Sequence, residues 1–230
     1  MLTLEKANVQ LDGFALSADL QVAQGSFVAV LGPSGAGKST LLGAIAGFQD
    51  LTSGRITWGG RDITDTHPSM RPVSMIFQDN NLFPHLTVAQ NVGLGLRTDL
   101  RLSSDDKRRV DQALARVGLQ GLSDRNPGQL SGGQIARVAL ARVLLRAKPI
   151  LLLDEPFGAL GPALKSEMLA LVRALAQETD ATVLMVSHEP KDASAIADQV
   201  ILVADGIAHA PRATQDIFDD PPAALVTYLG

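Results

Sequence analysis

One short segment constrains this chain more than any other, the octapeptide GPSGAGKS from Gly32 to Ser39. It follows an apolar run, SFVAVL (26–31), that suits a buried strand, and it precedes LLGAIAG, which suits a helix. The segment matches the pattern G-x-x-x-x-G-K-[ST] in the strand–loop–helix context that this pattern requires. Glycines let backbone N–H groups converge on phosphates, and the N-terminus of a helix favours an anion. The segment therefore predicts a phosphate-binding loop.

Two side chains of this loop have specific expected roles. Lys38 can reach the β- and γ-phosphates of a nucleotide, and the hydroxyl of Ser39 can bind Mg²⁺. The remaining contacts are expected from the loop as a whole. The predicted nucleotide-binding residues of this segment are Gly32, Pro33, Ser34, Gly35, Ala36, Gly37, Lys38, Ser39 and Thr40.

A pair of carboxylates follows a second apolar strand. The run Ile150–Leu153 leads into Asp154 and Glu155, and open α/β sheets bind their ligands at the C-terminal ends of strands. Asp154 is expected to hold Mg²⁺, directly or through water, and Glu155 to activate an attacking water as general base. Because strand side chains alternate, Glu155 is expected to point away from Asp154. The alternative, an acidic cap pair before a helix, is less suited to a chain with a phosphate loop.

Two further polar residues follow apolar strands. His188 ends VLMVSH, and this strand should lie beside the Asp154 strand, which would bring the imidazole near the γ-phosphate. Gln78 follows VSMIF (73–77), where it could contact a metal ion or water. Each has an ordinary alternative, because a lone histidine after a strand is commonly structural and most glutamines are solvated.

The order of the predicted elements indicates a largely parallel sheet. Residues 1–30 are expected to form short strands, and SGRITWGGRDIT (53–64) a strand, a Gly-Gly turn and a strand. Residues 80–147 are expected to be mostly helical. Beyond them strands alternate with helices up to a hairpin at Asp205-Gly206, and such alternation is typical of a parallel sheet.

A second glycine pair stands at the start of a predicted helix, in LSGGQIARVALAR (130–142). Ser131 can cap this helix and offer a hydroxyl, while Gly132 and Gly133 permit close approach of the backbone. The N-terminus of the helix favours an anion, although the segment contains no lysine. The alternative is an ordinary Ser-Gly-Gly helix cap, and the motif alone does not say what ligand it would hold.

Composition disfavours several other functions. The net charge of -4 argues against binding to the phosphate backbone of nucleic acids or to anionic lipid, and only 4% aromatic residues leave little material for stacking on bases. The chain has no cysteine, which excludes disulfides and thiolate metal sites. Its N-terminus lacks the apolar region of a secretory signal, and no stretch approaches 18 apolar residues. Direct membrane insertion is therefore not expected.

Taken in order, these motifs resemble the nucleotide-binding subunit of ATP-binding-cassette (ABC) transporters, and the resemblance covers essentially the whole chain. The matching segments are the Walker A loop (Gly32–Thr40), the Q-loop (Gln78), the signature (Leu130–Gln134), Walker B (Ile150–Asp154, followed by Glu155) and the switch histidine (His188). The resemblance implies an α/β P-loop NTPase fold with a mostly parallel core sheet, an antiparallel β subdomain and an inserted helical lobe.

The resemblance also implies a domain organisation. Residues 1–230 would form one ABC ATPase domain, with the helical lobe at about 80–147 inserted into the nucleotide-binding core. Related importers often carry a long C-terminal regulatory domain. Here a short helix is expected near ATQDIFDDP, shortly before Gly230, so no such domain is expected.

In this family the signature binds the γ-phosphate of an ATP held by a second subunit, and two ATP molecules lie head to tail between the copies. A homodimer in which each signature faces the partner's Lys38 would explain why the signature needs no lysine. The resemblance implies ATP and Mg²⁺ as cofactors, nucleotide contacts from Ser131, Gly132, Gly133 and Gln134, catalytic residues Glu155, His188 and Gln78, and metal ligands Ser39, Gln78 and Asp154.

Within the family, the segment FQDNNLFPHLTVAQNVGLGL (77–96) is similar to the ATPases of bacterial thiamine importers. This implies uptake of thiamine and its phosphate esters by a peripheral subunit at the cytoplasmic face of the inner membrane. The partners would be a transmembrane permease and, indirectly, a periplasmic solute-binding protein. The alternatives are the ATPase of an importer for iron, polyamine, sulfate or sugar, a soluble ABC ATPase, and a non-hydrolytic nucleotide-binding regulator.

Three places depart from the family pattern. Gly161 stands where the family usually has an aspartate, which predicts weaker coupling between the two composite sites, or compensation by backbone contacts. Ile135 and Ala136 partly replace the usual Gln/Arg pair, so contacts of this helix with its neighbours could differ. Leu11 and Phe14 lie near the usual position of the aromatic ring that stacks on adenine, but Phe14 is nearer the loop than usual and is interpreted as a core residue.

The segment 81–96 is the candidate surface for the permease. Its apolar residues Leu82, Phe83, Leu86 and Val88 could contact the partner. They could also pack inside the helical lobe, because exposed apolar patches are the exception in proteins. Both interpretations stay open on the sequence alone.

Overall fold

The computed structural model describes residues 1–11 and 13–229, and its centre is a mixed sheet of eleven strands. The strands are β1 (Leu2–Leu11), β2 (Phe14–Val22), β3 (Phe27–Leu31), β4 (Ser53–Trp58), β5 (Arg61–Asp62), β6 (Val73–Ile76), β7 (Ile150–Asp154), β8 (Thr182–Val186), β9 (Gln199–Ala204), β10 (Ile207–Ala208) and β11 (Arg212–Ala213). The α-helices are α1 (Lys38–Ala46), α2 (Val88–Gly93), α3 (Ser104–Arg116), α4 (Gly132–Arg146), α5 (Pro162–Thr179), α6 (Pro190–Ile196), α7 (Thr214–Asp219) and α8 (Ala223–Leu229).

Five adjacent strands are parallel, in the order β6-β7-β8-β3-β9. Every residue of β3 and β8 is buried, because helices cover both faces of a parallel sheet, and this explains the unbroken apolar runs in their sequences. Strands β7 and β8 are direct neighbours, with Asp154 opposite Val186. The prediction of a mostly parallel core sheet is confirmed, as is the prediction that the His188 strand lies beside the Asp154 strand.

The N-terminal strands form the antiparallel part of the sheet, in the order β5-β4-β1-β2. Every second residue of β2 from Leu16 onward is buried, as expected for a strand with one face on the core. The predicted Gly-Gly turn is Gly59-Gly60, where both residues have positive φ. Strands β1 and β2, with 10 and 9 residues, are longer than the short strands expected from the sequence.

Helices α2, α3 and α4 lie between β6 and β7 along the chain and pack against one another. Buried side chains of all three helices share one apolar cluster with β6, β7 and α5. The prediction that residues 80–147 are mostly helical is therefore confirmed. Each helix begins with a capping box, in which the N-cap hydroxyl and a side chain three residues later bond each other's backbone N–H. The N-cap residues are Thr87, Ser103 and Ser131.

The C-terminal part adds a hairpin and two short helices. Strands β9 and β10 are antiparallel, and Asp205 and Gly206 between them have φ of 51° and 71°, which confirms the predicted turn. The helix predicted near ATQDIFDDP is α7, whereas α8 was not predicted. Helix α8 packs on β3 and β9 through Leu225, which is fully buried. In the described parts of the chain, no helix is long and apolar enough to cross a membrane.

Candidate active site

The phosphate loop begins where β3 leaves the buried sheet. A Cβ atom on Gly32 would lie 2.0 Å from the carbonyl oxygen of Val203, so only glycine allows the chain to pass this point. At Gly37 φ is 106°, and a Cβ atom would lie 2.6 Å from the ring of Phe14. No side chain caps the N-terminus of α1 at Gly37, which leaves its N–H groups for an anion.

Lys38 is held at the bottom of this loop. The residue is only 5% exposed, and its Nζ donates hydrogen bonds of 2.8 Å to the carbonyl oxygens of Gly32 and Pro33. Burial lowers the pKa of Lys38, and the nearby carboxylates of Glu155 and Asp154 oppose this shift. Because an ammonium group has three donors, two loop carbonyls leave it capacity to bind a phosphate oxygen.

Asp154 stands at the end of β7, directly across from the phosphate loop. The hydroxyl of Ser39 donates a hydrogen bond of 3.0 Å to Oδ1 of Asp154. Burial raises the pKa of Asp154, and this hydrogen bond partly offsets the shift. A hydroxyl and a carboxylate oxygen side by side are ligands of the kind that Mg²⁺ prefers.

Glu155 corrects one expectation from the sequence. It lies beyond the last residue of β7, in a left-handed conformation with φ of 49°, so strand alternation does not set its direction. Its side chain lines the same cleft as Ser39, whose hydroxyl bonds Asp154, so both carboxylates face the same region. The expectation that Glu155 points away from Asp154 is therefore wrong. Oε1 of Glu155 lies 2.5 Å from Nε2 of His188, which joins the ends of β7 and β8.

The predicted residues of three different strand ends meet at one open cleft of about 980 Å³. Gln78, which follows β6, is exposed and lies at this cleft together with Glu155 and His188. Leu11 and Phe14 lie at its edge, and Phe14 also packs against the core, while stacking of Phe14 on adenine stays a prediction. The cleft is lined by Leu11, Phe14, Ser34, Gly35, Gly37, Lys38, Ser39, Thr40, Gln78, Glu155 and His188.

The signature segment lies at the N-terminus of α4. Ser131 and Gly132 are exposed, and the side chains of Ser131 and Gln134 complete the capping box, with N···O distances of 3.3 and 2.9 Å. Gly133 is buried, and a Cβ atom there would lie 2.5 Å from the side chain of Leu164 on α5, so a larger residue would require this leucine to shift. None of the described signature residues lines the cleft around Lys38.

The packing of α4 accounts for part of the unusual sequence that follows the signature. Ala136 is buried among the apolar residues of the helical lobe, while Ile135 is half-buried. Arg137 donates a hydrogen bond of 2.7 Å to the carbonyl oxygen of Val117 and forms an ion pair of 2.6 Å with Glu167 of α5. This arginine therefore joins three helices, whereas Ala136 before it packs within the lobe.

Sequence reasoning missed the support of the phosphate-loop helix. Arg71 is 3% exposed and donates to the carbonyl oxygens of Ala44 and Ile45, at 2.8 and 2.9 Å, at the C-terminal end of α1. It also donates to the carbonyl oxygens of Thr64 and Thr66. A cation at the C-terminus of a helix is favourable, and here it ties α1 to the segment before β6. No motif in the sequence marks this role.

Sequence reasoning also missed the support of the His188 loop. The hydroxyl of Ser187 donates to the carboxylate of Asp192. Nζ of Lys165 lies 2.9 Å from Asp192 and 2.7 Å from Glu189, so α5 is tied to the segment that directly follows the histidine. These residues precede or follow His188 in the chain or lie on another helix, and nothing in their spacing indicates that they converge.

The fold and the cleft define an ATP-hydrolysing subunit, and the chain belongs to the ABC transporter family, which it matches over residues 16–158. Among its relatives, the thiamine import ATP-binding protein ThiQ of Cereibacter sphaeroides is 58% identical over 230 residues, 100% of both chains. Proteins of the same name are 55% identical in Ruegeria sp., over 100% of both chains, and 50% identical in Yersinia pseudotuberculosis, over 100% of this chain and 97% of that protein.

Solved structures agree with this family. The ATP-binding cassette MJ0796, as a dimer in a post-hydrolysis state bound to ADP and Pi, superposes with a TM-score of 0.81. It is 29% identical, and the match covers 93% of this chain and 99% of that chain. A second dimeric structure of MJ0796, described as a bacterial ABC transporter cassette, gives a TM-score of 0.80 at 30% identity, with the same coverage. The predicted P-loop ABC ATPase fold is confirmed.

Proposed function

We propose that this chain hydrolyses ATP to drive an importer for thiamine and its phosphate esters, and that two copies close around two ATP molecules. The catalytic part rests on one observation. The loop lysine Lys38 and the pair Glu155–His188 line one cleft, and Asp154 accepts a hydrogen bond from Ser39, which lines the same cleft. The cargo rests on relatives that are 50–58% identical over nearly their whole length and are named thiamine import proteins.

The phosphate loop would bind the nucleotide. Backbone N–H groups from Gly32 to Thr40 and the N-terminus of α1 supply an anion site, and Lys38 supplies a full positive charge. Its bonds to two loop carbonyls hold the ammonium near the position that the phosphates would take. The lowered pKa of Lys38 indicates that burial disfavours its charge, so a bound anion would relieve this cost.

The residues present fit Mg²⁺. Ser39 and Asp154 place two oxygen ligands 3.0 Å apart, and Gln78 at the same cleft offers an amide oxygen. When bound, Mg²⁺ neutralises charge that develops on the phosphates. Ser39, Gln78 and Asp154 would hold it.

Glu155 would take the proton of the attacking water. His188 lies 2.5 Å from this carboxylate. Together with Gln78, it would position the attacking water and the γ-phosphate. The two residues come from adjacent parallel strands, so the sheet itself sets their spacing. General bases of this kind contribute roughly 10²–10⁴-fold to the rate.

The signature would complete the site of a second copy. Its exposed Ser131 and Gly132 lie outside the cleft around Lys38 of the same chain, and α4 offers a helix N-terminus to an anion. Residues Ser131–Gln134 would therefore contact the ATP held by the partner. Loss of the γ-phosphate would remove this contact and allow the two copies to separate.

The permease would dock on the helical lobe. A groove of about 1210 Å³ is lined by Phe83 and Leu86 of the candidate segment and by Arg142 of α4. Phe83 is 43% exposed, whereas Val88 is fully buried and belongs to the core of the lobe. The candidate surface therefore narrows to the residues that line this groove.

The same proposal includes the domain organisation and the location of the subunit in the cell. Residues 1–230 would act as one ABC ATPase domain, with the lobe at about 80–147 inserted between β6 and β7. The subunit would work at the cytoplasmic face of the bacterial inner membrane, held there by the permease. A periplasmic binding protein would deliver the solute on the opposite side.

The change Glu155→Gln tests the catalytic assignment. The variant should bind ATP but turn it over roughly 100-fold more slowly or worse, because the general base is lost, and it should accumulate as a dimer. ATPase assays and size-exclusion chromatography with ATP measure both effects. The matched control is Glu178→Gln, which removes an exposed carboxylate that pairs with Arg116. An E155Q protein that remains a monomer with ATP would contradict the two-copy arrangement.

The cargo is tested separately, in cells of the source bacterium that carry E155Q in place of the chromosomal gene. Uptake of labelled thiamine should be lost, while uptake of sulfate, iron, polyamine and sugar should continue. Cells with E178Q should take up all five solutes. Normal thiamine uptake in E155Q cells, with loss of another solute, would identify a different importer.

A further inference from the structure

The C-terminal helix touches the loop that carries His188. The hydroxyl of Tyr228 donates a hydrogen bond of 2.6 Å to the main-chain carbonyl oxygen of His188, across 40 residues of sequence. Tyr228 is the one tyrosine in the chain. No sequence motif includes it, and the catalytic arrangement described above does not use it.

Helix α8 is firmly anchored where it makes this contact. Leu225 is 0% exposed and packs with Leu31 of β3 and Leu202 of β9, the strands next to the phosphate loop. Tyr228 is half-buried and packs against the same cluster, while Val226 on the other side of the helix is exposed. The position of the hydroxyl is therefore set by the core sheet.

The hydroxyl stays a donor at neutral pH. Burial raises the pKa of Tyr228, and the carboxylates of Glu155 and Glu189 raise it further. The phenol is therefore protonated wherever the protein works.

The histidine depends on such support. Its side chain is 48% exposed, so packing contributes little to its direction, yet its Nε2 must stay within bonding distance of Glu155. Main-chain position then decides where the ring points. On one side Ser187, Asp192 and Lys165 hold the loop, and on the other side Tyr228 holds its carbonyl.

We infer that Tyr228 is a positioning residue for ATP hydrolysis, which holds the His188 main chain so that the imidazole meets Glu155. This inference rests on the proposed role of His188. It adds that α8, although outside every motif, contributes to the rate of the chemical step.

The change Tyr228→Phe removes only the hydroxyl. Because a misdirected catalytic group loses rate and not substrate affinity, kcat should fall roughly 3- to 10-fold while KM for ATP stays the same. The matched control is Thr227→Val, which removes the neighbouring hydroxyl that bonds only to Ala223 within α8. Melting curves of both variants show whether the fold is intact. A wild-type kcat in folded Y228F would overturn the inference.

A double-mutant cycle with His188→Ala distinguishes positioning of the His188 imidazole by Tyr228 from a purely structural role of Tyr228. If Tyr228 acts through the imidazole, Y228F should cause no further loss in the H188A background, measured by single turnover of radiolabelled ATP. The same fold-loss in both backgrounds would overturn the inference and indicate a structural role. A wild-type kcat in H188A alone would instead overturn the proposed role of His188, so the two failures are distinguishable.

Discussion

The molecule contains two glycine-rich helix starts, and they differ in what surrounds them. At α1 no side chain caps the helix, and Lys38, Asp154 and Glu155 surround the loop. At α4 the side chains of Ser131 and Gln134 already satisfy the capping positions, and the exposed residues are small and uncharged. The first site is built to hold an anion by itself, and the second is not.

The difference shows how much a helix N-terminus can do. Its partial charge is worth about 0.3–1 kcal/mol near the surface, which is far too little to bind a nucleotide alone. At α1 a buried lysine supplements it, whereas α4 has no such charge within the signature. A site at α4 gains useful affinity only when another surface supplies the nucleotide, so its weakness suits a contact that must form and break in each cycle.

The largest expected effect comes from complementation between two variants, one altered at α1 and one altered at α4. Lys38→Ala should lose nucleotide binding, because the loop loses its charge. Gly132→Asp should also abolish turnover, since a carboxylate would repel the partner's phosphates. A Cβ atom at Gly132 meets only Leu160 at 3.5 Å, and an acidic residue in the first turn of a helix is favourable, so the fold should be intact.

Mixing the two inactive proteins should restore ATPase activity. Half of the dimers would then contain one intact composite site, so activity should reach at most about a quarter of the wild-type value if copies exchange freely. The matched control is Gly132→Asn, which has the size of aspartate without its charge and should retain more activity alone. No recovery from any mixture, or normal ATP binding by K38A, would contradict the assignment of the two sites.

The change Asp154→Asn tests the effect of a charged group beside the α1 site on the stability of the fold. Burial raises the pKa of Asp154, so the folded state prefers the protonated acid and ionisation reduces stability as pH rises above the unfolded pKa. Nucleotide-free D154N should therefore melt at a higher temperature than wild type at pH 7 to 8. The difference should shrink as pH falls toward about 4, the ordinary pKa of an aspartate.

The same variant should lose ATP hydrolysis, because Asp154 is a proposed metal ligand. Differential scanning calorimetry over a pH series and an ATPase assay measure the two effects. The control Asp124→Asn removes an exposed carboxylate of the helical lobe and should change neither. A lower melting temperature for D154N at neutral pH would show that the carboxylate stabilises the nucleotide-free fold.

The smallest expected effect concerns Gly161, at the start of α5. It is the N-cap of α5 with φ of -65°, no side chain caps the helix there, and a Cβ atom would meet nothing within 4 Å. Gly161→Asp should therefore add a cap worth a few tenths of a kcal/mol, a rise of roughly 1 °C in melting temperature. Gly161→Ala, without a capping oxygen, should lower it.

Gly161→Asp also tests coupling between the composite sites. If the glycine weakens this coupling, the aspartate should increase the cooperativity of ATPase activity with ATP concentration. Unchanged cooperativity in a stabilised variant would contradict the hypothesis of weakened coupling. The rise in melting temperature would still test the capping geometry, because it depends on α5 alone.

Most of the fold and much of the site could be predicted from the sequence. The runs SFVAVL, ILLLD and ATVLMVSH are buried strands, and their parallel pairing follows from the helices between them. Polar residues at the ends of these strands necessarily meet at one edge of the sheet. This is why Lys38, Asp154, Glu155 and His188 could be assigned to one place before their distances were known.

The errors have a common physical cause. The predicted direction of the Glu155 side chain was wrong because Glu155 itself has a left-handed conformation, which ends the alternation of side chains along the strand. Arg71 and Tyr228 were missed because each acts through main-chain carbonyls, and any segment of the chain offers those. Bonds to carbonyls leave no complementary residue type in the sequence to search for.

Local patterns settled which residues bind phosphate, because strand, loop and helix are neighbours in the chain. Only the tertiary structure shows which side chains hold the residues of the site in place. Lys165 and Tyr228 reach the loop of His188 from helices that are distant in sequence, and packing against the sheet determines where those helices lie. The spacing of residues carries information over one turn or one strand, whereas a contact across 40 residues depends on every element packed between them.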